Sequence, residues 1–415
     1  MIMLENDTYI LKKKFFILLF GVVIYFFTCM SKALVPGPIF NNMLDLGLKL
    51  SEISTIGASF MLTYSASQLL AGIFADRYGG VRILLIGGSL FAVGMICFPC
   101  STNFLPLFLS RAIAGFGAGM VFLGIAKLIA DVFPEKISLA LGIILFLAFF
   151  GPVCGTYPMV KLIELTNWRT GMFIPAAISS AALLGVAVLA RGTIKPAVPG
   201  NALAPLFEML KNRQMWLLCA SSSISFGCYY VLLNQLGQKS IQDFCHFPPE
   251  RAALCIMSMT ILVAVGNMGV NLLLKLCGNR RRIIIRLSAL CTLAGAILGY
   301  CSFRWNFDAA SLLISFLLIA APGGFFPLFG TVAKELNPPK SVGLSIAILN
   351  FSATAFIALM QYIGGLILKT YETTMTGNRI ATAAYYNIFF FLIIAAAIGF
   401  ALIIPVVETK NKNRT

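Results

Sequence analysis

Two cations sit inside apolar runs of this 415-residue chain, Lys32 ahead of Pro36 and Arg111 at the head of Arg111-Ala-Ile-Ala-Gly115-Phe-Gly117-Ala-Gly119. A cation buried in a membrane span costs ~3 kcal/mol or more and normally faces a wet cavity or a partner. Arg111 therefore reads as a binding group. Lys32 has an equal alternative, a snorkelling side chain near an interface. The acids lie elsewhere. All fifteen Asp and Glu fall in loops or at the ends of apolar runs, and the single His, His246, is in a loop. Two buried cations without a buried acid predict a cavity of positive potential. Such a cavity attracts an anion, or the carboxylate of a zwitterion, and repels organic cations. No titratable carboxylate is evident in it.

Uncharged polar groups fill out the candidate site. Tyr64 and Gln68 are four residues apart and share a helix face. Tyr229, Tyr230, Asn234 and Gln235 cluster in one run, Asn267 and Asn271 in the next, and Asn350, Gln361 and Tyr362 in a later one. Polar groups in lipid must find partners, so a cavity or another helix is their default surrounding. About half of them are expected to be interhelical glue, worth ~0.6 kcal/mol each.

The elements that hold these residues follow from composition. The chain is 59% hydrophobic and 11% charged, with mean hydropathy +0.91. It cannot cover itself with polar surface, so most of its surroundings must be lipid. The apolar runs are long and apolar on every face, which selects helices over a barrel. Twelve runs fall at roughly 15–42, 54–75, 83–101, 104–129, 138–161, 171–190, 214–237, 252–276, 284–303, 309–333, 342–369 and 384–407, each near the ~20 residues a bilayer requires. With both termini cytoplasmic, 21 of the 31 Lys and Arg lie on the inner side and 8 on the outer. That bias sets the orientation and accounts for the net charge of +16 without a nucleic-acid partner. Lys12-Lys13-Lys14 before an apolar run imitates a secretory signal, but the run is long and lacks a small-residue cleavage site, so it reads as a retained first helix. The eleven Cys are scattered, mostly in apolar runs, and read as small hydrophobes. No metal cluster, nucleotide motif or nucleophile–base pair appears, so neither a cofactor nor an enzyme is expected.

The chain divides at 191–213, a stretch with Pro196, Pro199, Pro205 and four cations. This predicts a six-helix bundle over 1–190, a cytoplasmic linker over 191–213 and a second six-helix bundle over 214–415. The halves are weakly alike: Gly79 and Arg82 correspond to Gly278 and Arg281, with Lys275 where Asp76 stands.

One loop combines Gly72, Asp76, Arg77, Gly79 and Arg82. In type and spacing it resembles the loop between the second and third helices of the major facilitator superfamily. Arg111 with Gly115, Gly117 and Gly119 is similar to that family's Arg-x-x-x-Gly-x-Gly-x-Gly element. Phe133-Pro134-Glu135-Lys136, Trp168-Arg169 and Gly364-Gly365 also resemble its common marks. The resemblance implies twelve helices in two bundles, alternating access, and a central site between residues 1–190 and 214–415. Arg111 and Lys32 would hold the solute there, with hydrogen bonds from Tyr64, Gln68, Tyr229, Asn234, Gln235, Asn350 and Gln361. Asp76 with Arg77 and Arg82 would act as a cytoplasmic latch that stabilises the outward-open state; an ordinary positive-inside loop explains the Arg residues but not Asp76. Gly115, Gly117 and Gly119 read as close-packing positions. Gly151-Pro152 resembles part of a motif of drug antiporters, and Pro322-Gly323-Gly324 is a candidate hinge. The expectation is a monomeric transporter of the bacterial inner membrane, embedded in lipid, for a small carboxylate, amino acid or similar metabolite. Proton symport usually needs a titratable carboxylate in the cavity, so exchange or facilitated flux is favoured, and Asp131 and Glu164 leave coupling to a proton or a counter-anion open. Its rivals are an efflux pump for hydrophobic compounds and a non-transporting nutrient sensor.

Overall fold

A computed structural model of the chain describes residues 2–133, 135–191, 212–337 and 342–409; residues 2–10, 69–77, 137–139, 141, 145 and 342–344 are described by backbone alone. In chain order the helices are α1 (Ile2–Leu34), α2 (Phe40–Asp45), α3 (Leu50–Tyr78), α4 (Gly80–Cys100), α5 (Phe104–Val132), α6 (Ile137–Cys154), α7 (Tyr157–Leu165) and α8 (Trp168–Ala190). They continue as α9 (Arg213–Tyr230), α10 (Gly237–Cys245), α11 (Pro249–Leu276), α12 (Arg281–Trp305), α13 (Ala309–Ala320), α14 (Phe326–Glu335), α15 (Val342–Lys369) and α16 (Thr382–Ile403). A π-helical segment, Val231–Leu236, joins α9 to α10, and a 3₁₀ turn, Ala321–Phe325, joins α13 to α14. The only β contact among the described residues is an isolated bridge, Thr376 to Arg379.

Among the described residues, ten helices are long and apolar enough to cross a bilayer, and eleven if α6 and α7, bent by 49°, form one span. The expected second span, 54–75, falls on α3, a 29-residue helix. The surface matches that reading. Leu184, Val188, Met268 and Leu272 are each about two-thirds exposed, and large apolar side chains at such exposure suit lipid rather than water. The chain is an all-helical, multi-pass membrane protein.

Helix ends follow local chemistry. The Asn167 side chain accepts from Thr170 N–H at the start of α8, and the Asn212 side chain accepts from Gln214 N–H at the start of α9. Asp308 accepts from Ser311 N–H at the start of α13. Each satisfies one of the donors that a helix start leaves unpaired. Gly79 stops α3 with φ +81° and Gly278 follows α11 with φ +64°, a conformation that favours glycine. The two glycines of the weak repeat thus turn the chain the same way.

The residues form two compact units, one of Met1–Leu34 with Ser59–Asn201 and one of Val35–Ala58 with Ala202–Thr415. In unit 1, Lys14 pairs with Asp131 at 2.7 Å between α1 and α5. In unit 2, Arg281 pairs with Glu335 at 2.7 Å, and Glu408 accepts from the backbone N–H groups of Arg281 and Arg282 at the start of α12. An anion at that position also suits the positive end of the helix dipole. Of the expected linker, residues 192–211 lie outside the described set.

Candidate functional site

Unit 1 assembles a cationic cluster from three helices. Arg111 on α5 is 1% exposed. Its Nη1 donates to Ser31 Oγ at 2.8 Å and its Nη2 to the Ser31 carbonyl at 3.2 Å, both on α1. Its guanidinium lies 4.3 Å from the centroid of the Phe60 ring on α3. Lys32, next to Ser31, places Nζ 4.1 Å from the Tyr64 centroid. Phe60, Tyr64 and Gln68 stand at i, i+4 and i+8 of α3, so they share one face, and the two rings stack with an interplanar angle of 19°. Two cations therefore rest on two adjacent aromatic faces. Each such contact contributes ~0.5–2 kcal/mol, more when desolvated. No carboxylate contacts Arg111 among the described residues. Its Nε, fully buried, has no partner there, and neither has Gln68 Oε1. A guanidinium N–H can only donate and an amide oxygen only accepts, so Arg111 is left to meet an acceptor and Gln68 a donor.

Three glycines on α5 bring this helix close. A Cβ at Gly115 would strike the Phe60 carbonyl, one at Gly119 would strike Ser67 Oγ, and one at Gly117 would strike the backbone of Gly87 and Phe91 on α4. Gly115 and Gly119 thereby set the approach of α3, and with it the distance from Phe60 to Arg111. Of the latch loop, Gly79 and half-buried Arg82 are described. The side chains of Asp76 and Arg77, and the surroundings of Gly72, lie outside the described residues.

Unit 2 assembles a neutral cluster around the π segment. One extra residue per turn there interrupts the α-helical ladder, a feature that recurs at functional sites. Asn234, Gln235 and Gln361 are 1%, 2% and 0% exposed. Gln361 Nε2 donates to Asn234 Oδ1 at 2.5 Å, and Gln235 Nε2 donates to the Gln361 carbonyl at 2.9 Å. Gln235 Oε1 and Gln361 Oε1 remain buried without a donor among the described residues. An unmet buried acceptor costs ~1–3 kcal/mol, so this cluster is built to meet donors. A Cβ at Gly364 would sit 3.2 Å from Gln235 Oε1, so the glycine leaves room for the amide beside α15. Tyr229 is buried just before the π segment and packs edge-on to Tyr230, with ring centroids 5.2 Å apart.

Other expected groups stand apart. Asn350 is half-buried on α15, about 16 Å along the helix from Gln361 at 1.5 Å per residue. Asn271 is exposed and Tyr362 is 48% exposed, so neither joins the amide cluster. Asn267 Nδ2 donates to the Val263 carbonyl at 2.7 Å and to the Gly323 carbonyl at 3.3 Å, tying α11 to the 3₁₀ turn.

The expectation that no acid is buried is overturned. Lys239 Nζ and Asp243 Oδ1 are 2.9 Å apart on α10, with side chains 4% and 6% exposed. Asp243 Oδ2 also accepts from Tyr385 OH at 2.6 Å and from Ile380 N–H at 3.0 Å. The reason is length. Through the π segment the helix runs on to Cys245 as a 33-residue span, eight residues past the end of the apolar run, and carries both charges inside the protein. The i, i+4 spacing was visible in the sequence. Its burial was not. Sequence reasoning also missed Ser31 and Phe60, although each neighbours a chosen residue: Ser31 precedes Lys32, and Phe60 lies one turn before Tyr64.

A sequence profile described as Major Facilitator Superfamily matches residues 21–298, two thirds of the chain. The chain is 36% identical over 125 residues to the quinolone resistance protein NorA of Staphylococcus aureus strain MRSA252, covering 30% of this chain and 31% of that protein. It thus spans about a third of the length of these curated relatives. It is 23% identical over 360 residues to the uncharacterized MFS-type transporter C09D4.1 of Caenorhabditis elegans, covering 78% of this chain and 59% of that one. Among solved structures it resembles a POT family transporter in complex with 5-aminolevulinic acid, with TM-score 0.73, 14% identity and 96% of each chain covered. A D-xylose–proton symporter matches with TM-score 0.71, 15% identity and coverage of 95% and 98%. At such identities the likeness concerns the fold.

Proposed function

This chain belongs to the Major Facilitator Superfamily, and from that premise we propose that it is a secondary active or facilitative transporter of a small anionic or zwitterionic organic solute. The observation that carries the reading is Arg111: a fully buried guanidinium whose Nε has no partner and which no carboxylate contacts among the described residues. The charge of a bound anion would offset the cost of burying this cation. Lys32, Tyr64 and Gln68 complete the contacts of unit 1. In unit 2 the free acceptors of Gln235 and Gln361, with Tyr229, Asn234 and Asn350, suit donor groups such as an ammonium or hydroxyl.

The proposal includes alternating access in a bacterial inner membrane, with both termini cytoplasmic, bundles over 1–190 and 214–415 joined by a linker over 191–213, and a monomer as the working unit. Asp76 with Arg77 and Arg82 serves as the cytoplasmic latch of the outward-open state; unchanged thiol labelling from both sides in Asp76→Asn would remove that role. With Asp243 buried, absence of acids no longer favours exchange over proton coupling.

The test is uptake into proteoliposomes, screened over carboxylates, amino acids, phosphates and nucleosides, with Arg111→Gln as control. An anionic solute taken up by the wild type and not by the variant is expected; anion transport that persists at wild-type rate in the variant refutes the assignment. The stretch related to NorA favours a second reading, efflux of hydrophobic compounds. Drug resistance on expression, without uptake of any anion, would select it. Ligand binding without flux would select a nutrient sensor instead.

A further inference from the structure

A cavity of about 280 Å³ in unit 2 lies apart from every group assigned to the solute. Ile241 of α10, Ala310, Leu312 and Leu313 of α13, and Phe247 and Arg251 around the start of α11 are among its walls. Arg251 brings the only formal charge to that lining. It is exposed, and its guanidinium lies 4.1 Å from the Phe247 centroid.

The position of the cavity constrains its occupant. It sits at the first turns of α11 and α13, the opposite end of α12 from Arg281 and Arg282. Leu254, one turn from Arg251, is 41% exposed, and Ile314, beside Leu313, is 51% exposed. Apolar side chains at that exposure on a spanning helix meet acyl chains. Trp305 and Phe307, at the same end, are 63% and 44% exposed, and aromatic residues gather where acyl chains give way to headgroups. The mouth is thus at the level of lipid phosphates, with apolar space beneath it.

The electrostatics favour an anion there. A guanidinium offers paired donors that match phosphate oxygens. The starts of α13 and α11 already carry carboxylates, Asp308 as the cap and Glu250 in the first turn, so the contact for an anion comes from Arg251.

We propose that this cavity is a bound-lipid site, in which the phosphate of an anionic phospholipid rests on Arg251 and the first carbons of one acyl chain fill the space between Ile241, Leu312 and Leu313. The volume suits the near part of one chain and not a whole lipid.

The full chain in detergent, mixed with phosphatidylglycerol or with phosphatidylcholine of the same acyl chains, tests this by native mass spectrometry. Retention of one phosphatidylglycerol, at least about fivefold over phosphatidylcholine, is expected. Arg251→Gln should abolish that preference. Leu313→Trp, which fills the cavity without changing charge, should lower retention of both lipids; Leu313→Phe serves if the first variant does not fold. Equal retention of the two lipids by the wild type would overturn the proposal, as would undiminished phosphatidylglycerol in both variants. Displacement of the lipid by millimolar inorganic phosphate would assign the site to a soluble anion and overturn it too.

Discussion

The polar cluster of unit 1 and that of unit 2 solve the same problem in opposite ways. In unit 1 the helices stay regular and the charge is unusual: Arg111 and Lys32 rest on Phe60 and Tyr64, with donors to spare. In unit 2 the groups are neutral and the backbone is unusual: a π segment turns Asn234 and Gln235 toward Gln361, with acceptors to spare. The contrast teaches how specificity divides under the proposed function: unit 1 would select by charge, which acts over distance and tolerates small shifts, and unit 2 by hydrogen-bond direction, which does not.

Substitutions can break that contrast. The largest effect is expected from Arg111→Gln, which removes the only fully buried guanidinium described. Uptake of an anionic solute should fall at least ~100-fold, or about 2.8 kcal/mol at 1.4 kcal/mol per decade, with little change in expression. Next comes Gln361→Leu. It removes the donor to Asn234 and one free acceptor, so apparent affinity should weaken ~10-fold, the worth of one or two hydrogen bonds. If solutes with and without a donor group weaken equally, unit 2 does not read direction. Gly115→Val acts on spacing instead. Its side chain would meet the Phe60 backbone, and the packing strain, ~1–3 kcal/mol, should appear as a lower thermal midpoint of the purified protein. Phe60→Leu is the finest test. It keeps volume near Arg111 but removes the ring face, and the loss of one cation–π contact predicts ~3–5-fold weaker binding in a thermal-shift titration. An unchanged value would mean that the hydrogen bonds to Ser31 alone hold Arg111.

Much of unit 1 was legible because charge is scarce in a lipid-facing chain, so every embedded cation stands out. Tyr64 and Gln68 were legible from helical spacing alone. Unit 2 was harder. Its helices are apolar on all faces, so no periodic signal marks the residue at which an α-helix becomes a π-helix. Asn350 and Tyr362 matched Gln361 in type, yet three turns of helix and an exposed face keep them from its amide. Lys239 and Asp243 were four residues apart in plain sight, but an apolar run that ends at 237 gives no sign that the helix continues to Cys245.

By itself the sequence determined the solvent, the helical class and the two cations of unit 1's cluster, because each follows from local composition and the free energy of placing it in lipid. Tertiary structure alone decided that Gln235 meets Gln361 across 126 residues, that Asp243 is buried under Tyr385, and that Arg111 leans on Phe60. Those are contacts between distant segments, and their energy depends on how whole helices pack rather than on the spacing of residues along any one of them.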